Sequence, residues 1–306
     1  MRINTNTAAM NTYSNLTSAN ASKSNSLAKL SSGLRINKAG DDAAGLAISE
    51  KMKNQVSGLT QASRNAQDGI SLIQTAEGAL TETHSMLNRM RDLVVQGSND
   101  TNTTEDKKAI QKEIDSLTGE IDRVAKDTQF NKKSLLTDLD TATGAISATQ
   151  DGSKFNFQIG ANSGQSIELT IKDMSASGLG IATRVAEAVG PPSVPAHITS
   201  NIKVYDKTTE PNKANMDASL VDIDEAIAAV SEERANLGAT QNRLDHTVSN
   251  LATTKENLSE ANSRITDVDM AEEMMSFTKS NILSQASTAM LAQANQMPQG
   301  VLQLLQ

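Results

Sequence analysis

Three histidines, His84, His197 and His246, are the side chains best suited to acid–base or metal chemistry near neutral pH. They lie far apart, and none falls in an HExxH or similar spacing. His84 and His246 sit in helical patterns, where a lone histidine is ordinarily solvated or lightly packed. Gly178 and Gly180 make only a G-x-G, without the third glycine and downstream of a predicted hairpin, so no phosphate cradle is expected. The acids Asp222, Asp224 and Glu225, and Asp267 with Asp269, have two readings: metal ligands, or first-turn residues stabilised by a helix dipole. Met274, Met275, Met290 and Met297 suit either an adaptable binding surface or a plain helix–helix core, and the two coincide if the partner is a helix. The chain has no cysteine, which excludes disulfides, thiolate metal sites and thiol catalysis. The expectation is therefore no enzyme, no cofactor and no catalytic or metal site.

The elements that carry these residues are long helices. Ile223, Val230, Leu237, Leu244, Leu251, Leu258 and Ile265 recur every seven residues and are all large aliphatics. Their partner set, Leu220, Ile227, Arg234, Gln241, Val248, Lys255 and Asn262, is apolar in three of its seven places. Such 3-4 spacing is a coiled-coil seam. A single helix over Leu220–Ile265 is roughly 70 Å long at about 1.5 Å per residue, so it needs another long helix beside it. Residues 43–97 supply one, with Met52, Leu59, Ala66, Ile73, Leu80, Leu87 and Val94 at the same repeat, ended by Gly97. Asp41 or Asp42 is its expected N-cap. Thr103 or Thr104 caps a shorter helix with the seam Ile110, Ile114, Leu117, Ile121 and Val124. Together these predict a mostly α fold, an antiparallel bundle of long helices.

The period changes in residues 130–180. Phe155, Phe157 and Ile159, then Ile167, Leu169 and Ile171, alternate with polar residues around a turn at Gly160–Gly164, which predicts a small β-hairpin. Residues 181–215 hold Pro191, Pro192, Pro195 and Pro211 and predict a loop with one strand near Ile202–Tyr205. The ends differ from both. Residues 1–42 carry Leu16, Leu27, Leu30 and Leu34, with five basic residues against two acids. Residues 267–306 carry Met275, Ile282, Leu283 and Met290, with four acids against Lys279. Residues 1–42 are too weakly apolar to hold as an isolated helix. Opposite charge and shared amphipathicity predict that the two ends pair with each other and order on assembly. Pro298 is expected to kink or fray the last turns.

Composition fits thin seams. Aromatics are 2% of the chain, with no tryptophan, and the net charge of −8 argues against nucleic-acid binding. The start has no apolar core of a signal peptide, and no apolar run approaches a membrane span. Physical reasoning thus leaves two readings open, an intramolecular helical rod or an assembling subunit with marginally ordered ends.

The residues also resemble a family, bacterial flagellin. The similarity lies in residues 1–16 (MRINTNTAAMNTYSNL), Leu30–Ser49 (LSSGLRINKAGDDAAGLAIS), Gln67–Leu80 (QDGISLIQTAEGAL), Thr128–Asn131 (TQFN), Asn281–Ser287 (NILSQAS), Leu291–Gln296 (LAQANQ) and Val301–Leu305 (VLQLL). It covers about residues 1–180 and 216–306, most like the short flagellins of Gram-positive bacteria. The resemblance implies that 1–42 and 267–306 form the inner D0 layer of a filament. Residues 43–180 and 216–266 would form D1, and 181–215 would stand where longer members carry outer domains, so large outer domains are not expected. It implies a self-assembling propeller subunit, extracellular, exported unfolded by a type III route without a cleaved signal peptide. It also implies an export chaperone at 267–306, cap and hook-junction proteins as partners, and no membrane or nucleic acid.

The family's Toll-like-receptor surface resembles Leu87–Gln96 (LNRMRDLVVQ), which would place Arg89 and Leu93 at the principal positions and Glu113 on the next helix. Many members read Arg-Val-Arg-Glu there, and Met90 and Asp92 depart from that conservatively. The metalloprotease motif of some members is absent. Ser and Thr in 140–215 could carry O-linked sugars, as in some members. Two other classes stay open: a hook–filament junction or cap-associated protein of the same apparatus, and an enzyme on a helical scaffold.

Overall fold

The structure, a computed structural model, describes residues 6–137, 152–185, 197–204 and 213–304. Five helices carry most of them: α1 (Thr7–Ser32), α2 (Ala43–Gly97), α3 (Thr104–Asp127), α4 (Lys213–Thr266) and α5 (Met270–Leu304). Three antiparallel strand pairs accompany them: β1 (Gln129–Phe130) with β2 (Lys133–Ser134), β3 (Ser153–Gln158) with β4 (Ser166–Ile171), and β5 (Ala182–Val185) with β6 (His197–Ser200). The chain divides into two compact units, Met1–Ser57 with Thr253–Gln306, and Gly58–Ala252.

Local chemistry sets the helix ends. The Asn6 side chain accepts from the Ala9 N–H at 3.0 Å and starts α1. Gly33, at φ 72°, ends α1 in the left-handed conformation, and its N–H reaches Lys29 O. Asp42 caps α2 by accepting from the Gly45 N–H at 2.8 Å. Asp41 instead folds the turn before it, taking the Lys38 and Asn37 N–H groups at 2.9 and 3.1 Å. Those two backbone bonds hold the Asp41 carboxyl below the usual carboxylate range. Thr103 and Asp106 form a capping box on α3.

The unit Gly58–Ala252 holds the main core. α2 and α4 run antiparallel there, with Glu77 facing Arg234 (3.8 Å) and Arg91 bonded to Asp224 (2.7 Å). Ile73, Leu80 and Leu87 of α2 share one core with Ile223, Val230, Leu237 and Leu244 of α4, and Leu59 and Leu251 are also buried. Ile110, Ile114 and Ile121 of α3 join the same core, with Leu117 packed against it. The β3–β4 hairpin covers it in the register Phe155↔Leu169 and Phe157↔Ile167. A Cβ added to Gly69 would stand 3.3 Å from the Phe157 ring and 3.4 Å from Leu244 Cδ1, so the hairpin seats where α2 lacks a side chain. Glu233 is buried with one carboxylate oxygen unpartnered, and burial pushes its carboxyl up.

Several expectations need correction. The strand expected at Ile202–Tyr205 lies at His197–Ser200, and Ile202 and Val204 are instead buried residues outside any strand. Apolar character there marks docking of a loop, with Gln111 Nε2 donating to Ile202 O and the Val204 N–H donating to Gln111 Oε1. The helix α4 begins at Lys213, so Asp222, Asp224 and Glu225 lie beyond its first turn. Helix α5 runs through Pro298 to Leu304. The four prolines of 181–215 fall outside the described residues.

Candidate functional site

The second unit, built from the chain ends, contains the candidate site. Within it α1 and α5 lie side by side. On α1 the residues turned inward are Ala9, Thr12, Leu16, Ala19, Lys23, Ser26 and Leu30. On α5 they are Phe277, Ser280, Ser284, Ser287, Leu291 and Ala294. Both sets step by three and four, the spacing of two helices in a shallow crossing. The fully buried members, Ala19, Ser26, Ser280 and Ala294, are small. Small side chains let the backbones approach, so this seam is narrow.

Polar bonds stitch the seam along its length. Asn6 Nδ2 donates to Ala294 O at 2.8 Å, Ser284 Oγ to Asn20 Oδ1 at 2.8 Å, and Lys23 Nζ to Asn281 Oδ1 at 2.9 Å. At its base the Arg35 N–H bonds Thr266 O, and the Val268 N–H bonds Gly33 O, a β-bridge between Leu34 and Asp267. Asp269 Oδ1 accepts from the Ala271 and Glu272 N–H groups and caps α5. Among the described residues no ion pair joins α1 to α5, so the opposite net charges of the two ends are not spent on each other.

The sequence-derived seam therefore sits elsewhere. Leu16 and Leu30 are on the inner seam and Leu34 is half-buried, but Leu27, Met275, Ile282, Leu283 and Met290 are exposed, together with Met10, Tyr13, Met270 and Met274. The large apolar residues repeat on the outer side of each helix, offset from the small ones that meet inside. Exposed large apolar side chains thus accumulate on this helix pair. Further along the same unit the α4 seam loosens, since Leu258 and Ile265 are only half-buried.

The other singled-out residues fall in Gly58–Ala252. Arg89 Nε and Nη2 both donate to Glu113 Oε1, at 3.0 and 2.7 Å, across an exposed α2–α3 face. Leu93 points the other way and is buried in the core with Met90. Its helical spacing from Leu80, Leu87 and Val94 could have shown this. His84 is half-buried, with Nδ1 unpartnered, and His246 is exposed. The side chain of His197 lies outside the described residues. Asp224 is bound to Arg91, and among the described residues no three acidic or histidine side chains gather as a metal site.

Comparison with known proteins gives this geometry its setting. The bacterial flagellin N-terminal helical region matches residues 3–141, and the bacterial flagellin C-terminal helical region matches residues 220–305. The chain belongs to the bacterial flagellin family. It is 55% identical to the flagellin of Bacillus subtilis (strain 168) over the full length of both chains. It is 50% identical to the flagellin of Halalkalibacterium halodurans and 46% to the flagellar filament 33 kDa core protein of Treponema phagedenis, again over both full lengths. A solved protein assigned to the flagellar hook-associated class, from Vibrio parahaemolyticus, shares 17% identity and a TM-score of 0.57 over 74% of this chain and 100% of that one, a likeness of fold alone. In this flagellin the two matched regions leave residues 142–219 between them and hold nearly all of the helices described above.

Proposed function

We propose that this flagellin is the structural subunit of a flagellar filament, polymerised through the exposed apolar face of α1 and α5. The observation that carries the mechanism is the split between seams: small residues close the helix pair within one chain, while Met275, Ile282, Leu283 and Met290 face outward. Covering such side chains stabilises by roughly 25 cal/mol per Å² of apolar surface, so only an assembly that covers them fully orders the ends. Full-length identity to flagellins of Bacillus subtilis and Halalkalibacterium halodurans favours the filament subunit over a junction or cap role. The protein serves as mechanical material, not as a catalyst. The test is truncation. Removing 267–306 leaves the core of Gly58–Ala252 intact and should yield a soluble helical protein that forms no filaments. Filaments from that truncation would refute the mechanism.

The same reading extends to partners. Residues 1–42 and 267–306 act as the D0 layer, and the helices and hairpin between them as D1. The protein works outside the cell, as part of the filament. Before export, the open α5 face is the natural contact for a chaperone that keeps it from premature polymerisation. In the finished organelle it meets hook-junction and cap proteins. For the host Toll-like receptor, the accessible determinant is the Arg89–Glu113 pair on the α2–α3 face, with Leu93 shaping the helix from within. Arg89→Ala should lower receptor activation in a reporter-cell assay with an unchanged melting temperature. Leu93→Ala should act through folding, at about 2–5 kcal/mol. Full activation by Arg89→Ala would remove this surface from consideration.

A further inference from the structure

Eight methionines of this chain lie at the extremes of exposure, and Met52 and Met86 are half-buried between them. Met10, Met270, Met274, Met275 and Met290 are between 49% and 68% exposed, and all five belong to the unit built from the chain ends. Met90, Met174 and Met216 are 3% exposed or less, and all three belong to the other unit. The chain has no cysteine and no tryptophan. A soft two-electron oxidant therefore has no thiol or indole to attack first, and the accessible thioethers are its principal targets. These same side chains make up much of the outer face of α1 and α5, beside Tyr13, Leu27, Ile282 and Leu283.

We infer that the five exposed methionines are a modification site at which a peroxide oxidant reversibly blocks polymerisation of the free subunit. The inference rests on the polymerisation face assigned above. In the reaction the methionine Sδ attacks one oxygen of hydrogen peroxide. An S–O bond forms, the O–O bond breaks, and the displaced hydroxide takes the remaining proton and leaves as water. The thioether is oxidised to the sulfoxide and the peroxide is reduced to water. The product puts a strong acceptor where an apolar group stood. In the free chain that oxygen is solvated at no cost. Under a neighbouring subunit it is buried among apolar side chains without a donor, which disfavours addition. Several such groups on one face act together. The core methionines are shielded, so the oxidised chain keeps its folded body and loses only its capacity to add.

The test uses the full-length chain and hydrogen peroxide. Monomer is treated with a limiting dose, sulfoxides are located by peptide mass spectrometry, and seeded elongation is followed by electron microscopy beside thermal unfolding. The expected result is sulfoxide at Met10, Met270, Met274, Met275 and Met290 before Met90, Met174 and Met216. Elongation should fall about tenfold or more with no change in melting temperature. Reduction with methionine sulfoxide reductases specific for both epimers should then restore elongation, which a merely damaged chain would not allow. A variant with leucine at the five positions should elongate equally before and after peroxide. If that variant fails to elongate untreated, the reductase arm still decides. Unchanged elongation with all five sites oxidised, equal oxidation of the core methionines, or loss that the reductases do not reverse would overturn the inference. Failure of the untreated chain to elongate seeds would instead count against the polymerisation face, while the order of oxidation would still be read from the mass spectra.

Discussion

Leu244, Leu251 and Leu258 share one heptad position on α4 but not one environment. Leu244 is fully buried, Leu251 nearly so, and Leu258 half-exposed. Leu244→Ala should therefore cost about 3 kcal/mol and Leu258→Ala about 1 kcal/mol or less, read from denaturant unfolding of each variant. Equal costs would show that the seam does not loosen. Glu233 gives a pH test. Its folded carboxyl is pushed up by burial, so the stability tied to its neutral form is present at low pH and is lost as pH rises through the raised value. Glu233→Gln should raise the melting temperature at pH 7 and lose that advantage near pH 4. A variant less stable at pH 7 would mean that the carboxylate is satisfied after all. The heptad repeat made most α2 and α4 core residues legible in the sequence. The same spacing places Leu93 on the buried side beside Leu87 and Val94, whereas the short family motif names Arg89 and Leu93 together without their faces.

At the scale of elements, the long helices, the capping box at Thr103 and the hairpin were all readable from period and caps. The terminal helix pair was readable in existence but not in face. In α1 and α5 the large apolar residues divide: Leu16, Leu30, Phe277 and Leu291 turn inward, while Leu27, Met275, Ile282, Leu283 and Met290 are exposed. The fully buried positions of the inner seam are Ala and Ser, which carry little hydropathy signal. The β1–β2 turn was missed, although Asn131 and Lys132 at φ 52° and 64° are a two-residue hairpin loop for which asparagine is a recognisable signal. Strand β5 was missed because it is short and pairs only with β6. The two faces make separable predictions. Ser280→Leu overfills the narrow inner seam, should cost about 1–3 kcal/mol and should lower the helicity of the free chain by circular dichroism. Leu283→Ser removes only outward apolar surface and should leave that spectrum unchanged. Identical spectra for the two variants would contradict the division of faces.

For the molecule as a whole, one unit is built on a continuous core and the other on a thin helix pair with exposed large side chains. On the proposed function, stability and assembly are thereby separated: the first unit holds the fold, and the second holds the contacts that another copy would complete. The most direct test is seeded elongation of the full-length chain against Ile282→Asp, both dissociated by acid, returned to neutral pH with short filament seeds, and followed by electron microscopy with circular dichroism. The expected result is long filaments from the unmodified chain, none from Ile282→Asp, and matching spectra for the two free chains. Filaments of equal length from Ile282→Asp would contradict polymerisation through the outer face of the terminal helices.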